Sequence, residues 1–169
     1  MTAATPDVDD FSRAYWDAAA RGELLIRRCR GCGLPHHYPR EFCPYCWGDE
    51  VEWERASGRA TLYTWSVVHR NDLPPFGERV PYVAAVVDLA EGPRMMTEVV
   101  ECAQGRLRIG MELTVTFRTE GVRVEGVRAE DVRAEDVRVE GVRVEAPAAE
   151  GSGGDGGALA VPVFRPAFP

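Results

Sequence analysis

Four of the five cysteines fall inside residues 28–49, RCRGCGLPHHYPREFCPYCWGD, as two Cys-x-x-Cys pairs with ten residues between them. A Cys-x-x-Cys turn puts two sulfurs on one side of a tight loop. Two such loops facing each other complete a tetrahedron around a metal at Zn–S distances of about 2.3 Å. Cys29, Cys32, Cys43 and Cys46 fit this arrangement. Gly31 and Gly33 suit a first knuckle that needs positive φ, and Pro44 stiffens the second. Disulfides and a redox-active Cys-x-x-Cys are the rival readings. The N-terminus MTAATPDVDD is acidic and has no apolar run, so no leader peptide is expected and the expected compartment is reducing; no βαβ pattern surrounds either pair. The expectation is a structural zinc, with iron in a rubredoxin-like site as the lesser alternative. Four thiolates fill a tetrahedral zinc and leave no open position for water or substrate, so the site is read as structural. His36 and His37, between the pairs, are read as loop surface or as neighbours of the ligands. Cys102, in the strand-like run EVVECA, is read as a small buried hydrophobe.

The 169 residues suffice for one domain or two small ones, and no run of about 18 apolar residues could span a membrane. The expectation is a soluble, cytoplasmic protein. All twenty basic residues are arginine, so Schiff-base catalysis and a P-loop lysine are both excluded from this sequence. A net charge of −7 argues against general polyanion binding. Residues 121–157 carry nine acids and five arginines, and the rest of the chain is still acidic. Only the ribbon is locally basic, through Arg27, Arg28, Arg30 and Arg40.

Along the chain, DDFSRAYWDAAAR (9–21) spaces Phe11, Ala14, Tyr15, Ala18 and Ala19 as an amphipathic helix, with Asp9 and Asp10 at its start and Gly22 at its end. Trp16 lies off this stripe; it either widens the apolar face or offers an anchor to a partner. ELLIRR leads as a strand into the first knuckle and VEWERA leaves the second. From Gly58 onward, GRATLYTWSVVHR, YVAAVVDLA, RMMTEVVEC, MELTVTFR and ALAVPVFRP read as five strands. Their lengths and alternation suggest a small Greek-key barrel, with an SH3-like barrel as competitor. Between the last two strands, residues 121–145 repeat one pentad five times: GVRVE GVRAE DVRAE DVRVE GVRVE. A period of five matches neither helix nor strand, so no element could keep these valines on one face. This stretch and the following APAAEGSGGDGG are read as a low-complexity insertion.

The helix FSRAYWDAAARGEL, the entry LLIRRCRGCG, the exit YPREFCPYCWGDEVEWERASGRATLYTWSVVHR, the segment VPYVAAVVDLAEGPRM, the approach RIGMELTVTF and the closing VPVFRP together resemble the rubredoxin-like zinc-ribbon plus OB-fold family associated with acyl-CoA enzymes. They cover most of residues 11–118 and 159–166. The resemblance implies a mostly β protein. Its parts would be a tail and helix (1–24), a zinc ribbon (25–56) and a five-stranded OB-fold barrel (57–169) carrying the insertion 121–157 before the last strand.

The resemblance also implies an accessory role beside thiolase-fold enzymes, lipid-transfer-type aldolases or acyl-CoA hydratases, with Tyr15, Trp16 and the Arg27, Arg28, Arg30 and Arg40 surface near partner or CoA. The insertion departs from the family, which usually has a short connection there. Two functions follow as the main expectation. One is a noncatalytic scaffold subunit for a thiolase-superfamily enzyme: outside the insertion no catalytic set stands out, and His69 is the lone histidine of the barrel. The other is direct acyl-CoA contact, through aromatics such as Trp65, Phe76 and Tyr82 and the ribbon arginines. The alternative is a single-stranded nucleic-acid-binding protein, which the charge disfavours.

Overall fold

A computed structural model describes residues 8–74, 76–120 and 159–168. The pentad repeat and the Gly-rich stretch after it lie outside the described residues. Among the described residues the fold has one α-helix, a three-stranded sheet and a five-stranded closed barrel. No described helix is long and apolar enough to cross a membrane.

Helix α1, Arg13–Ala20, begins later than its sequence pattern suggests. Asp9 takes the preceding turn: its carboxylate accepts from the Ser12 N–H at 2.6 Å, and its carbonyl accepts from the Arg13 N–H at 3.0 Å. Hydrogen bonding to Ser12 holds the Asp9 carboxyl below its usual pKa. Gly22 ends the helix at φ 78°, with the Glu23 N–H donating to Ala18 O and the Gly22 N–H to Ala19 O, a Schellman closure. Tyr15, Trp16, Ala18 and Ala19 are buried, whereas Ala14 is exposed. The apolar face is therefore rotated from the expected stripe toward Trp16.

The ribbon sheet runs β2-β1-β3, from β1 (Leu25–Cys29), β2 (Pro35–His36) and β3 (Val51–Arg55), all antiparallel. The barrel contains β4 (Arg59–Val68), β5 (Tyr82–Leu89), β6 (Arg94–Val99), β7 (Glu112–Glu120) and β8 (Leu159–Pro166), in the closed order β4-β5-β6-β8-β7. Three strands form a meander. β8 then closes the barrel, parallel to β6 at Val99↔Phe164 and antiparallel to β7 over eight residue pairs. This is the five-stranded Greek-key closure of an OB fold, and it decides against the SH3-like competitor.

The barrel interior follows strand alternation: on β5, Val83, Ala85, Val87 and Leu89 point inward. β8 is buried on both faces, with Phe164 in the core and Val163 on the opposite side, because α1 packs against β8. Tyr15, Trp16, Leu24 and Ile26 join Leu62, Val87 and Phe164 in one continuous apolar cluster, so helix, ribbon and barrel share a core. At the crossover from ribbon to barrel, Gly58 has φ 77°, and a Cβ there would lie 2.5 Å from Val115 Cγ1. Only glycine fits both constraints.

Strand β6 stops at Val99, and Glu101 adopts φ 55°, so Cys102 lies beyond the strand and is only half-buried, contrary to the expected buried position. Likewise β4 ends at Val68, leaving His69 exposed in the following loop.

Candidate metal centre and ribbon face

The two knuckles share one backbone design. In the first, the Gly33 N–H donates to Cys29 O at 2.9 Å and the Cys29 N–H to Leu34 O at 3.1 Å. In the second, the Trp47 N–H donates to Cys43 O at 3.0 Å and the Cys43 N–H to Gly48 O at 2.8 Å. Positions 33 and 47 are therefore equivalent, and both take a left-handed conformation, Gly33 at φ 74° and Trp47 at φ 63°. Gly31, expected to share this conformation, does not have positive φ. Its hydrogen side faces Cys29 Sγ at a distance an ordinary Cβ would tolerate.

All four sulfurs lie within 4.8 Å of one another, with Cys29–Cys46 and Cys32–Cys43 at 3.6 Å. Those separations exclude disulfides, whose sulfurs sit about 2.05 Å apart. They match the edges of a tetrahedron with about 2.3 Å metal–sulfur bonds, which are about 3.8 Å. Backbone N–H groups point at the sulfurs, from Cys32 to Cys29 Sγ at 3.5 Å and from Tyr45 to Cys43 Sγ at 3.4 Å. Burial opposes ionisation of Cys43, yet the N–H groups of Cys46 and Tyr45, with the neighbouring sulfurs, bring its thiol down to about 7. At Cys32 the Leu34 N–H favours the thiolate, but burial and the surrounding sulfurs outweigh it and push the thiol up to about 12. Four thiolates this close together repel one another when all are charged. A divalent cation at their centre removes the conflict, so the donor set fits a metal ion.

Burial changes the reading of most residues expected near a partner or CoA. Tyr15 is 3% exposed and Trp16 is 9% exposed, packed edge-to-face at 5.0 Å within the core, so neither is a surface anchor. Arg27 is buried as well: its guanidinium lies 4.5 Å from the Trp53 ring centre and 5.2 Å from that of Phe11, and it donates to Val51 O at 3.0 Å. Burial lowers its pKa from the usual arginine value. Arg28 is committed to Glu54 and to Gly33 O, and Arg30 to Glu52. Arg40 alone of the four is exposed without an ion-pair partner among the described residues. Phe76 sits in a short 3₁₀ turn, Phe76–Arg79, beside Tyr82 and beneath Arg79. Trp65 packs against the core, and the Tyr82 hydroxyl accepts from Asn71 Nδ2 at 3.0 Å.

The two inter-knuckle histidines are not loop surface. His36 is 2% exposed in β2, and burial together with Arg27 and Arg40 lowers its pKa. His37 shares a hydrogen bond of 3.3 Å with the Tyr15 hydroxyl. Burial, helped by His36, brings His37 down to about 4. His37 fastens the ribbon to α1 through Tyr15.

The structure exposes a feature that sequence reasoning passed over. Leu34, Tyr38, Phe42, Tyr45 and Trp47 are all exposed, half of the exposed large apolar residues among those described. Trp47 is 74% exposed and stacks on Phe42 at 5.3 Å and 15°. The signal was present in the sequence: five large apolar residues in fourteen positions, in a segment whose centre is occupied by sulfur, have no interior to enter. Elsewhere, an open cleft at the ribbon–barrel junction is lined by Glu23, Arg55, Ser57, Gly58 and Glu91. Arg55 pairs with Glu23 at 3.1 Å, and the Glu91 carboxylate accepts from the Ser57 N–H at 2.7 Å. Among the described residues no nucleophile–base pair is assembled there.

Two family models match the chain consecutively. Residues 16–52 match the ChsH2 rubredoxin-like zinc ribbon domain, and residues 53–118 match the ChsH2 C-terminal OB-fold domain. A DUF35 domain-containing scaffold protein of Methanocaldococcus jannaschii is 38% identical over 56% of this chain and 67% of its own length. The benzoylsuccinyl-CoA thiolase subunit BbsA of Thauera aromatica is 32% identical over 68% of this chain and 78% of its own length. The chain spans only 32% of the length of a "Probable enoyl-CoA hydratase alpha subunit" of Thermomonospora curvata, to which it is 35% identical over 60% of this chain. Among solved structures, a chain of the Ltp2-ChsH2(DUF35) aldolase superposes with a TM-score of 0.66 at 26% identity, covering 97% of this chain and 100% of that one.

Proposed function

The chain belongs to the ChsH2/DUF35 family of zinc-ribbon and OB-fold proteins, and we propose that it is a noncatalytic accessory subunit of a thiolase-superfamily or related enzyme acting on acyl-CoA substrates. The observation that carries this reading is the agreement of the whole fold, ribbon and barrel together, with a chain solved in the Ltp2-ChsH2(DUF35) aldolase. A relative that is a subunit of an acyl-CoA thiolase supports the same assignment.

Cys29, Cys32, Cys43 and Cys46 hold a zinc ion that closes the ribbon. Bound by four thiolates, zinc supplies structure rather than a polarised water. The buried Tyr15, Trp16 and Arg27 lock helix and ribbon to the barrel, so the ribbon is presented to a partner as a rigid projection. The reacting groups belong to that partner. The reduced thiols suit a cytoplasmic setting.

Co-expression of the full chain with a thiolase-fold or hydratase subunit encoded beside it tests the assignment. The two should copurify, the enzyme should lose activity or solubility when produced alone, and the isolated chain should turn over no acyl-CoA. Turnover by the isolated chain would defeat the proposal.

A further inference from the structure

We propose that the second knuckle, through Phe42, Tyr45 and Trp47, is the surface that docks onto the enzyme subunit, and that it enters an apolar pocket with a basic rim on that subunit. This deepens the accessory-subunit reading and rests on it.

Trp47 carries the argument. Its equivalent in the first knuckle is Gly33, and both adopt the left-handed conformation that the knuckle requires. Glycine takes that conformation freely, whereas an indole-bearing residue is disfavoured there. The usual return for keeping a tryptophan is burial, but Trp47 is 74% exposed. Among the described residues its one ring contact is with Phe42, itself 38% exposed. Folding of this chain thus gives little reason for tryptophan over glycine at position 47. A disfavoured backbone at an exposed aromatic points to a function outside the fold. Tyr45, 56% exposed on the same loop, adds a second large ring.

Charge selects the occupant. Glu41, Asp49 and Glu50 flank the knuckle, all exposed, and their carboxylates make no ion pair among the described residues. Against them stands Arg40, exposed and without an ion pair among the described residues, whereas Arg30 is held by Glu52. A phosphate-bearing ligand would meet three carboxylates and one guanidinium, so neither a nucleotide nor a nucleic acid fits. A protein pocket with apolar walls and basic residues at its edge matches both the rings and the rim. Three aromatic side chains of about 150–250 Å² each could supply the centre of an interface of about 800 Å² per partner. Tryptophan and tyrosine are the residues that most often dominate such centres.

The test uses the full zinc-loaded chain and the enzyme subunit encoded beside it. The double variant Tyr45→Ser, Trp47→Gly should bind that subunit at least about 30-fold more weakly. It should keep one equivalent of metal and a melting temperature within about 4 °C of the parent, because glycine suits φ at position 47. A second variant, Glu41→Lys, Asp49→Lys, Glu50→Lys, changes only exposed side chains. It should bind more weakly at low salt and lose the parent's salt dependence. Parent-like binding by both variants would overturn the docking surface while leaving the accessory role standing. No binding by the parent chain would overturn the accessory role and the docking surface with it.

Discussion

Ribbon and barrel solve the problem of a core in opposite ways. The barrel hides its apolar residues inside a closed sheet, where Leu62, Val87, Leu113 and Phe164 are each no more than 1% exposed. The ribbon has sulfur at its centre, and its large side chains go elsewhere. One set, Arg27 and Trp53, packs inward against Phe11 in the turn before the helix. The other, Phe42, Tyr45 and Trp47, faces solvent. A unit folded by a metal can spend its aromatic residues on a surface, and a unit folded by apolar burial cannot.

The sharpest way to break this comparison is to remove the metal. Cys43→Ser should reduce bound metal from one equivalent to near zero, because a structural zinc in an isolated finger supplies on the order of 10 kcal/mol of folding free energy. Hydrogen exchange should show β1 to β3 losing protection while β5 and β6 keep theirs. A variant with full metal and unchanged protection in the ribbon would show that the ribbon, too, is held by packing.

The junction comes next. Gly58→Ala places a methyl in left-handed backbone and against Val115, so a loss of about 2–3 kcal/mol is expected in denaturant titrations. Gly22→Ala, at the helix end with nothing within 4 Å of the added Cβ, should cost only about 1 kcal/mol. Equal losses would mean that the crossover has no special tightness.

A comparable effect should appear as pH dependence at the helix–ribbon seam. The His37 pKa is about 4 in the folded chain, below its unfolded value near 6.5. Between these values the unfolded chain binds the extra proton, so stability should fall as pH drops from 6.5 to 4, by up to about 2–3 kcal/mol. Tyr15, Tyr38 and His36 face the ring, and none supplies a carboxylate to hold the charge. His37→Gln should flatten the slope, measured by denaturant unfolding at saturating zinc from pH 7 to pH 5. An unchanged slope would move the seam's pH sensitivity to the thiols.

The smallest effect is expected in the barrel. Glu120 pairs directly with Leu159 across β7 and β8, so those two positions can be closed by a two-residue turn. Replacing residues 121–158 with Asn-Gly should change stability by less than about 1 kcal/mol and leave metal content intact. A large fall in melting temperature would show that the replaced segment contributes to the barrel.

Much of this was legible before any coordinates. Cysteine spacing marked the ribbon because two short loops with fixed sulfur separation allow few geometries. Period-two alternation marked the barrel strands because a half-buried strand must alternate, and Gly22 marked the helix end because only a left-handed residue closes it so tightly. The sequence missed β2, Pro35–His36, since two residues have no period to read. It also placed Ala14 on the buried face of α1, where Trp16 lies instead, because a helical stripe says which residues share a face but not what packs against it.

The sequence by itself therefore determined the four-cysteine knuckles, the order of elements and the exclusion of lysine chemistry, all of which depend on residue identity and local spacing. Only the tertiary structure decided which aromatic and basic residues are free. Arg27 and Arg40 look alike in the sequence, yet one lies buried between Phe11 and Trp53 and the other faces solvent. Trp16 and Trp47 are likewise the same residue with opposite fates, one packed in the shared core and the other held out on the second knuckle. Exposure is a property of what the rest of the chain brings alongside. Long-range packing sets it.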